Sequence, residues 1–386
     1  MATGIFLEVL LNQDHTISAS PVFCGRVRFR KSTCRKCLEI CPENAISLNP
    51  GPTINSNCND CGLCQNSCPT EVFHNELHTD QYLLNQAKGF LGKDPQQIPG
   101  EKKLLCISCH RAENQDKNSL HLTCLGRITA NIILGTALAG FDGVVLVKGI
   151  CSQCRLQQGE KSITHSISAS RLLLQSTGLT RFTIDIEEKE KKKEALLSRR
   201  DIFSNISNTI KIKTASLVHH KEKAIRKKLT GISENKKHKR LSPGKEMLLS
   251  LLKQKRVVIP IAAHYMSDFP WGKITIDEHN CSACGICLAV CPTGAIFKEI
   301  KQEHHFFYFN SSLCNNCSLC REACPENAID FEEDFAFAAI LKEQANLVAT
   351  ITVASCIICG DVITAGKTTV CPTCQKRQVR PMHVNV

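Results

Sequence analysis

The chain has 386 residues, 42% hydrophobic and 22% charged, a composition that excludes wholesale disorder and predicts two to four globular units. Only 5% of residues are aromatic whereas 25 are cysteine, so something besides side-chain packing is expected to hold the chain together. The net charge of +12 is local: residues 189–256 carry 21 Lys and Arg against 6 Asp and Glu, a net +15, which leaves −3 for the rest.

Met1 to Leu11 has no cationic region before its short apolar run and no small-residue cleavage site, which argues against a secretory leader. The longest apolar candidate, Ala130 to Ile150, is broken by Asp142 and Lys148, which argues against a membrane span. The expectation is a cytoplasmic chain whose thiols stay reduced and bind metal instead of forming disulfides. The cysteines fall into four groups, with eight in 24–68, five in 106–154, eight in 281–324 and four in 356–374. Thiols used only as small core hydrophobes would not respect such grouping.

Residues 1–95 hold the first group. Cys58-x2-Cys61-x2-Cys64-x3-Cys68-Pro69 is a complete run. Three thiolates at two-residue gaps wrap three corners of an iron–sulfur cube, and the fourth, turned away by the proline, reaches a second cube. The run before it has Cys34, Cys37 and Cys41-Pro42, but Lys31 where the first cysteine belongs. Crossing the fourth ligands gives one cluster on Cys58, Cys61, Cys64 and Cys41. The other has Cys34, Cys37 and Cys68, with Cys24 as the nearby candidate for its fourth corner, since a loop of that length closes at little entropic cost. If Cys24 does not reach, that cluster is three-iron, or has a non-thiolate ligand and an open iron.

Residues 100–187 change pattern. Lys103–Ser108, Leu120–Leu125, Gly143–Lys148 and Arg181–Ile186 are predicted strands, and Arg127–Ala139 and Ser166–Ser176 are predicted helices, the first stopped by Gly140. Strands alternating with helices predict a small parallel sheet. Cys106, Cys109, Cys124, Cys151 and Cys154 fall at or just past strand carboxyl ends, the edge where open parallel sheets bind ligands. Five thiols serve four positions: Cys106 or Cys109, with Cys124, Cys151 and Cys154. Leu104-Leu-Cys-Ile-Ser-Cys109, Thr123-Cys-Leu-Gly-Arg127 and the segment Gly140 to Arg155 resemble the delta subunit of methyl-viologen-reducing hydrogenase. That resemblance implies a 2Fe–2S cluster and electron relay to heterodisulfide reductase or related flavoprotein complexes. Cys106-Ile-Ser-Cys109-His110 also spells the c-type haem attachment motif, a reading disfavoured by the lack of an export signal.

Residues 188–256 are read as a basic helical linker without cysteine. Leu196, Ile202, Phe203, Ile206 and Ile210 stand at helical spacing, followed by Lys-rich stretches at 221–228 and 235–240. The segment is a solvated linker with one docking helix, or a strap for an acidic partner or for the chain's own clusters. No nucleic-acid motif or aromatic interleaving accompanies the charge.

Residues 257–345 carry two intact runs, Cys281-x2-Cys284-x2-Cys287-x3-Cys291-Pro292 and Cys314-x2-Cys317-x2-Cys320-x3-Cys324-Pro325. Crossing gives clusters on Cys281, Cys284, Cys287 and Cys324 and on Cys314, Cys317, Cys320 and Cys291. About 60 residues here resemble bacterial two-cluster ferredoxins, and Cys41-Pro-Glu-Asn-Ala-Ile46 recurs as Cys324-Pro-Glu-Asn-Ala-Ile329. In residues 350–380, Cys356-x2-Cys359 and Cys371-x2-Cys374 form two knuckles around a predicted hairpin over Asp361–Val370. Four thiolates from two turns fit a structural Zn2+; a rubredoxin-type iron uses similar geometry.

The expected fold is α+β and multidomain: two ferredoxin-like dicluster modules around a small α/β parallel-sheet domain, plus a zinc ribbon. The expected cofactors are four 4Fe–4S clusters, one 2Fe–2S cluster and Zn2+. No dinucleotide fingerprint, phosphate loop or nucleophile–base arrangement is found, so neither flavin nor NAD is expected on this chain and no catalytic residue is assigned. The function read from this inventory is electron transfer to a catalytic partner, such as a hydrogenase, heterodisulfide-reductase-like or other oxidoreductase subunit of an anaerobic redox complex. The alternatives are a reductase of disulfides or sulfur compounds acting at an under-ligated cluster, and a redox-sensing regulator.

Overall fold

The computed structural model describes residues 15–91, 101–190 and 241–375, except 115, 117, 255–262, 265–269, 333, 336–337, 367 and 372. The predicted amphipathic helix at 196–210 and the Lys-rich stretches lie outside the described residues. No described helix is long and apolar enough to cross a membrane.

The two dicluster modules share one plan. In the first, β1 (Ile17–Ala19) pairs antiparallel with β2 (Phe73–Asn75), while Ile46–Ser47 and Thr53–Ile54 make an inner hairpin. In the second, Ile274–Ile276 pairs with Ile329–Phe331, and the inner hairpin is Ile296–Lys301 with His304–Phe309. Segment ends are thus tied together while the cysteine loops project between them. One-turn helices carry the third cysteine of each run: Lys36–Ile40, Leu63–Ser67, Ile286–Val290 and Leu319–Glu322. A single turn displaces the fourth cysteine by about 6 Å along the axis, enough to send it toward the neighbouring group. Three residues past each fourth cysteine the backbone turns left-handed, at Asn44, Glu71, Gly294 and Asn327. Asn and Gly tolerate that region best, which accounts for three of the four choices.

The middle unit is a four-stranded, all-parallel sheet: β3 (Leu104–Cys109), β4 (Ser119–Leu122), β5 (Gly143–Lys148) and β6 (Thr183–Glu188), in the order β4-β3-β5-β6. Helices α1 (Ala130–Ala139) and α2 (Gln158–Ser176) cover one face, where Leu105, Ile107, Leu146, Ile132 and Ile163 form the core. Helix α2 starts eight residues before its predicted beginning because its first two turns are largely polar and give no apolar periodicity. The second strand is shorter than predicted because Leu125–Arg127 closes into a 3-10 turn after Cys124.

Helix α3 (Pro243–Gln254) ties the units together. Met247, Leu248, Leu249, Leu251 and Leu252 are all buried, beside Leu134 and Leu138 of α1 and Trp271 and Ile340 of the second dicluster unit. A helix apolar on nearly every side belongs inside a core. Its entry is held by the half-buried Glu71 of the first module, which accepts from the Ser242 hydroxyl at 2.8 Å and the Gly244 N–H at 2.9 Å. The carboxyl's pKa is raised by burial, against those two donors.

Beyond it, Asn346–Ser355 pairs with His304–Phe309 at one end and with Val362–Thr364 at the other. The hairpin of the C-terminal knuckles therefore turns across the first knuckle, Ser355 to Val362, and the predicted span Asp361–Val370 supplies its second arm, Val362–Thr364. One strand joins the second dicluster unit to the ribbon.

Candidate metal centres

The thiols gather in five quartets and a ribbon site. In the second dicluster unit, Cys281, Cys284, Cys287 and Cys324 line one small cavity, and Cys291, Cys314, Cys317 and Cys320 line another. The crossed pattern expected from spacing is the one observed in space. Backbone N–H groups point at sulfur: Ala283 at Cys281 (3.4 Å), Asn316 at Cys314 (3.3 Å) and Ala328 at Cys324 (3.4 Å). Such donors favour the thiolate that a metal needs. Burial opposes it, with help from neighbouring thiols, and pushes Cys287 and Cys317 up to about 12. Four crowded thiols shed their protons together only when a cation replaces them, so these residues fit a metal centre.

In the first module, Cys41, Cys58, Cys61 and Cys64 are mutual neighbours. Burial raises Cys61 to about 11, and the thiols of Cys41 and Cys58 add to the shift. Cys24 meets Cys34, Cys37 and Cys68 around a cavity of about 540 Å³. Burial, then Cys68, Cys34 and Cys24, raise Cys37 to about 12. The backbone explains how Cys24 arrives. It follows a 3-10 turn, Pro21–Phe23, and its N–H donates to Pro21 O (2.9 Å); Cys314 follows Ser311–Leu313 and donates to Ser311 O (3.1 Å). Cys24 thus stands where a first cysteine stands, and nine residues, 25–33, separate it from Cys34 where a complete run has two.

Strand parity separates two of the middle unit's five thiols, Cys106 and Cys109. Leu105, Ile107 and Cys109 face the helices, whereas Cys106 shares the other face with Val145 and the Asn114 amide (3.4 Å). Cys109, Cys124, Cys151 and Cys154 converge at the strand ends: burial raises Cys124 to about 12, with Cys109 and Cys151 among its neighbours, and Cys154 adjoins Cys151. Cys106 lies inside β3, away from that group. N–H groups of Gly149, Gly126 and Leu156 each approach a sulfur at 3.4 Å, on Cys109, Cys124 and Cys154. Gly159 opens α2 directly against Cys124 Sγ and leaves no room for a Cβ.

At the ribbon, the sulfurs of Cys356, Cys359, Cys371 and Cys374 all lie within 4.8 Å of one another. The N–H of Cys371 donates to Cys356 Sγ at 3.2 Å and pulls that thiol down to about 6. This donor set suits a tetrahedral divalent ion.

The quartets stand in file. Cys287 neighbours Cys320, which links the two centres of the second dicluster unit. Cys317 borders the cavity of Cys24, Cys34, Cys37 and Cys68. Cys37 neighbours Cys64, and Cys61 packs with Leu63, Leu156, Cys124 and Cys154. Two junctions hold the file. Arg28 donates to the carbonyls of Ala289 (2.8 Å), Val290 (3.1 Å) and Cys291 (3.2 Å), capping the end of a cysteine helix in the other module. Ser32 and Thr33 hydroxyls bond Glu322 at 2.7 and 2.9 Å. On the other side, Asn66 donates to Gly126 O (2.9 Å) and Ile128 O (3.0 Å), and Arg127, ion-paired to Asp80 at 2.6 Å, packs against left-handed Gly62. Reading the sequence by cysteine spacing missed both junctions. A signal existed in Arg26, Arg28 and Arg30, three cations inside a metal-binding loop.

The 4Fe-4S binding domain model matches residues 274–297 and 307–330, one complete cysteine run in each. The chain therefore carries ferredoxin-type 4Fe–4S motifs, which support an iron–sulfur electron-transfer protein. No curated protein matches the chain.

Proposed function

We propose that the chain is a one-electron relay with five iron–sulfur centres. Four are 4Fe–4S, on the two quartets of each dicluster unit, Cys24 included. The fifth is 2Fe–2S, on Cys109, Cys124, Cys151 and Cys154, and Zn2+ on Cys356, Cys359, Cys371 and Cys374 stiffens the ribbon. The observation that carries this reading is the single file: each quartet has a neighbour, and none is set aside. Clusters held there supply reversible one-electron exchange at potentials tuned by burial and by hydrogen bonds to sulfur. The residues of the chain supply the rest: they fix the order of the centres, exclude water around them and clamp the modules through Arg28, Glu322, Asn66 and Arg127.

The relay has two ends, the middle-domain quartet and the quartet of Cys281. A partner oxidoreductase subunit of a cytoplasmic redox complex takes or gives electrons there, and flavin or nicotinamide belongs to that partner. The grouping of Cys24 with Cys34, Cys37 and Cys68 weighs against a reductase acting at an under-ligated cluster there. Anaerobic isolation with metal and sulfide analysis tests the proposal. About 18 irons per chain with matching acid-labile sulfide are expected, from four cubanes and one two-iron centre. A colourless, sulfide-free chain would reject it.

A further inference from the structure

Two cations are buried among the described residues, Arg127 and Lys245. Arg127 is neutralised by Asp80 at 2.6 Å. Lys245, 2% exposed at the start of α3, forms no ion pair among the described residues. Its ammonium donates to the backbone carbonyl of Cys314 and lies 4.9 Å from the ring centre of the fully buried Trp271. One carboxylate, Glu71, acts on it through space, but it makes no ion pair with Lys245 and is hydrogen-bonded by Ser242 and Gly244. A buried ammonium without a contact ion pair is unfavourable, so its placement favours further negative charge close by. The thiols of Cys314 and Cys317 also lie close enough to act on it.

We propose that Lys245 is the built-in counter-charge of the centre on Cys291, Cys314, Cys317 and Cys320, and that it raises the reduction potential of that centre. The inference rests on that quartet being a 4Fe–4S ligand set. One-electron reduction adds one negative charge to the buried centre, and a fixed neighbouring cation stabilises the reduced form more than the oxidised one. A lone carbonyl bond and a ring face serve a structural lysine poorly, but they leave its charge unspent. Within the file, electrons then rest on the inner centre of the second dicluster unit, beside the junction with the first. Lys245 is a tuning residue; it holds no iron.

The test is a dithionite redox titration followed by paramagnetic resonance, with iron and labile sulfide measured on the same samples. In Lys245→Met, one cubane midpoint is expected to move to more negative potential, namely the signal that Cys320→Ser removes, with full iron content. Unmoved midpoints at full iron content, or movement of a different signal, would overturn the proposal. Should the methionine variant lose iron, the unaltered chain still decides. The signal removed by Cys320→Ser is expected to have the most positive midpoint of the cubanes, and a lower rank would overturn the assignment. Absence of iron from the unaltered chain would instead reject the cluster reading itself.

Discussion

The two dicluster units solve the same problem from unequal sequences. The second has two complete cysteine runs, whereas the first has Lys31 at one first position and draws Cys24 from ten residues before Cys34. Both reach the same geometry because a 3-10 turn delivers the first thiol in each, before Cys24 and before Cys314. Spacing is therefore one way to converge four sulfurs and local backbone geometry is another. The longer spacer also does something an unbroken run cannot: it puts Arg28, Ser32 and Thr33 onto the other module.

The largest expected effect sharpens this equivalence. Cys24→Ser and Cys314→Ser should each lower iron by up to about four atoms per chain, or leave a three-iron centre. Iron analysis checks it, and unchanged iron in Cys24→Ser alone would break the symmetry of the two units. Next, the middle unit offers a control in which parity replaces spacing. Cys109→Ser should abolish the 2Fe–2S signal, a loss of about two irons. Cys106→Ser should leave spectrum and iron unchanged, because Cys106 occupies the opposite face of β3.

A smaller effect probes that spacer. Arg28→Ala removes charge-assisted bonds to three carbonyls and should lower stability by about 2 kcal/mol in urea unfolding, with iron content intact. It should also slow electron exchange between the modules. The smallest effect concerns Glu71, whose carboxyl pKa is raised by burial. A raised value means that the folded state holds the proton more tightly than the unfolded chain. Its contribution is present at low pH and is lost as pH rises through the folded value. Glu71→Gln should therefore flatten stability between the ordinary carboxylate range and that raised value, as read from thermal melts across pH.

The sequence made the metal-binding plan readable because each complete run encodes a local loop, and local loops survive without tertiary context. Cys24 was legible only as the nearest spare thiol. Ser20-Pro-Val-Phe before it and Asn310-Ser-Ser-Leu before Cys314 share almost no residues, although both make the same turn. The choice between Cys106 and Cys109 needed the strand frame, since a one-residue change of frame exchanges the faces. Helix α3 was hidden inside a basic segment, where Lys245, Glu246 and Lys253 mask an apolar surface. The first arm of the ribbon hairpin was missed because it is the end of a long strand begun in the neighbouring unit.

The single file is tested most directly by paramagnetic resonance of the fully reduced chain, with and without its central centre. Intact, the spectrum should show broadened, mutually coupled signals from neighbouring clusters. In Cys24→Ser that has lost its cluster, coupling should survive within the Cys281/Cys314 pair and between the Cys58 and Cys109 quartets, while coupling across the module junction disappears. A sum of sharp, independent signals in the intact chain, unaffected by the substitution, would contradict a relay.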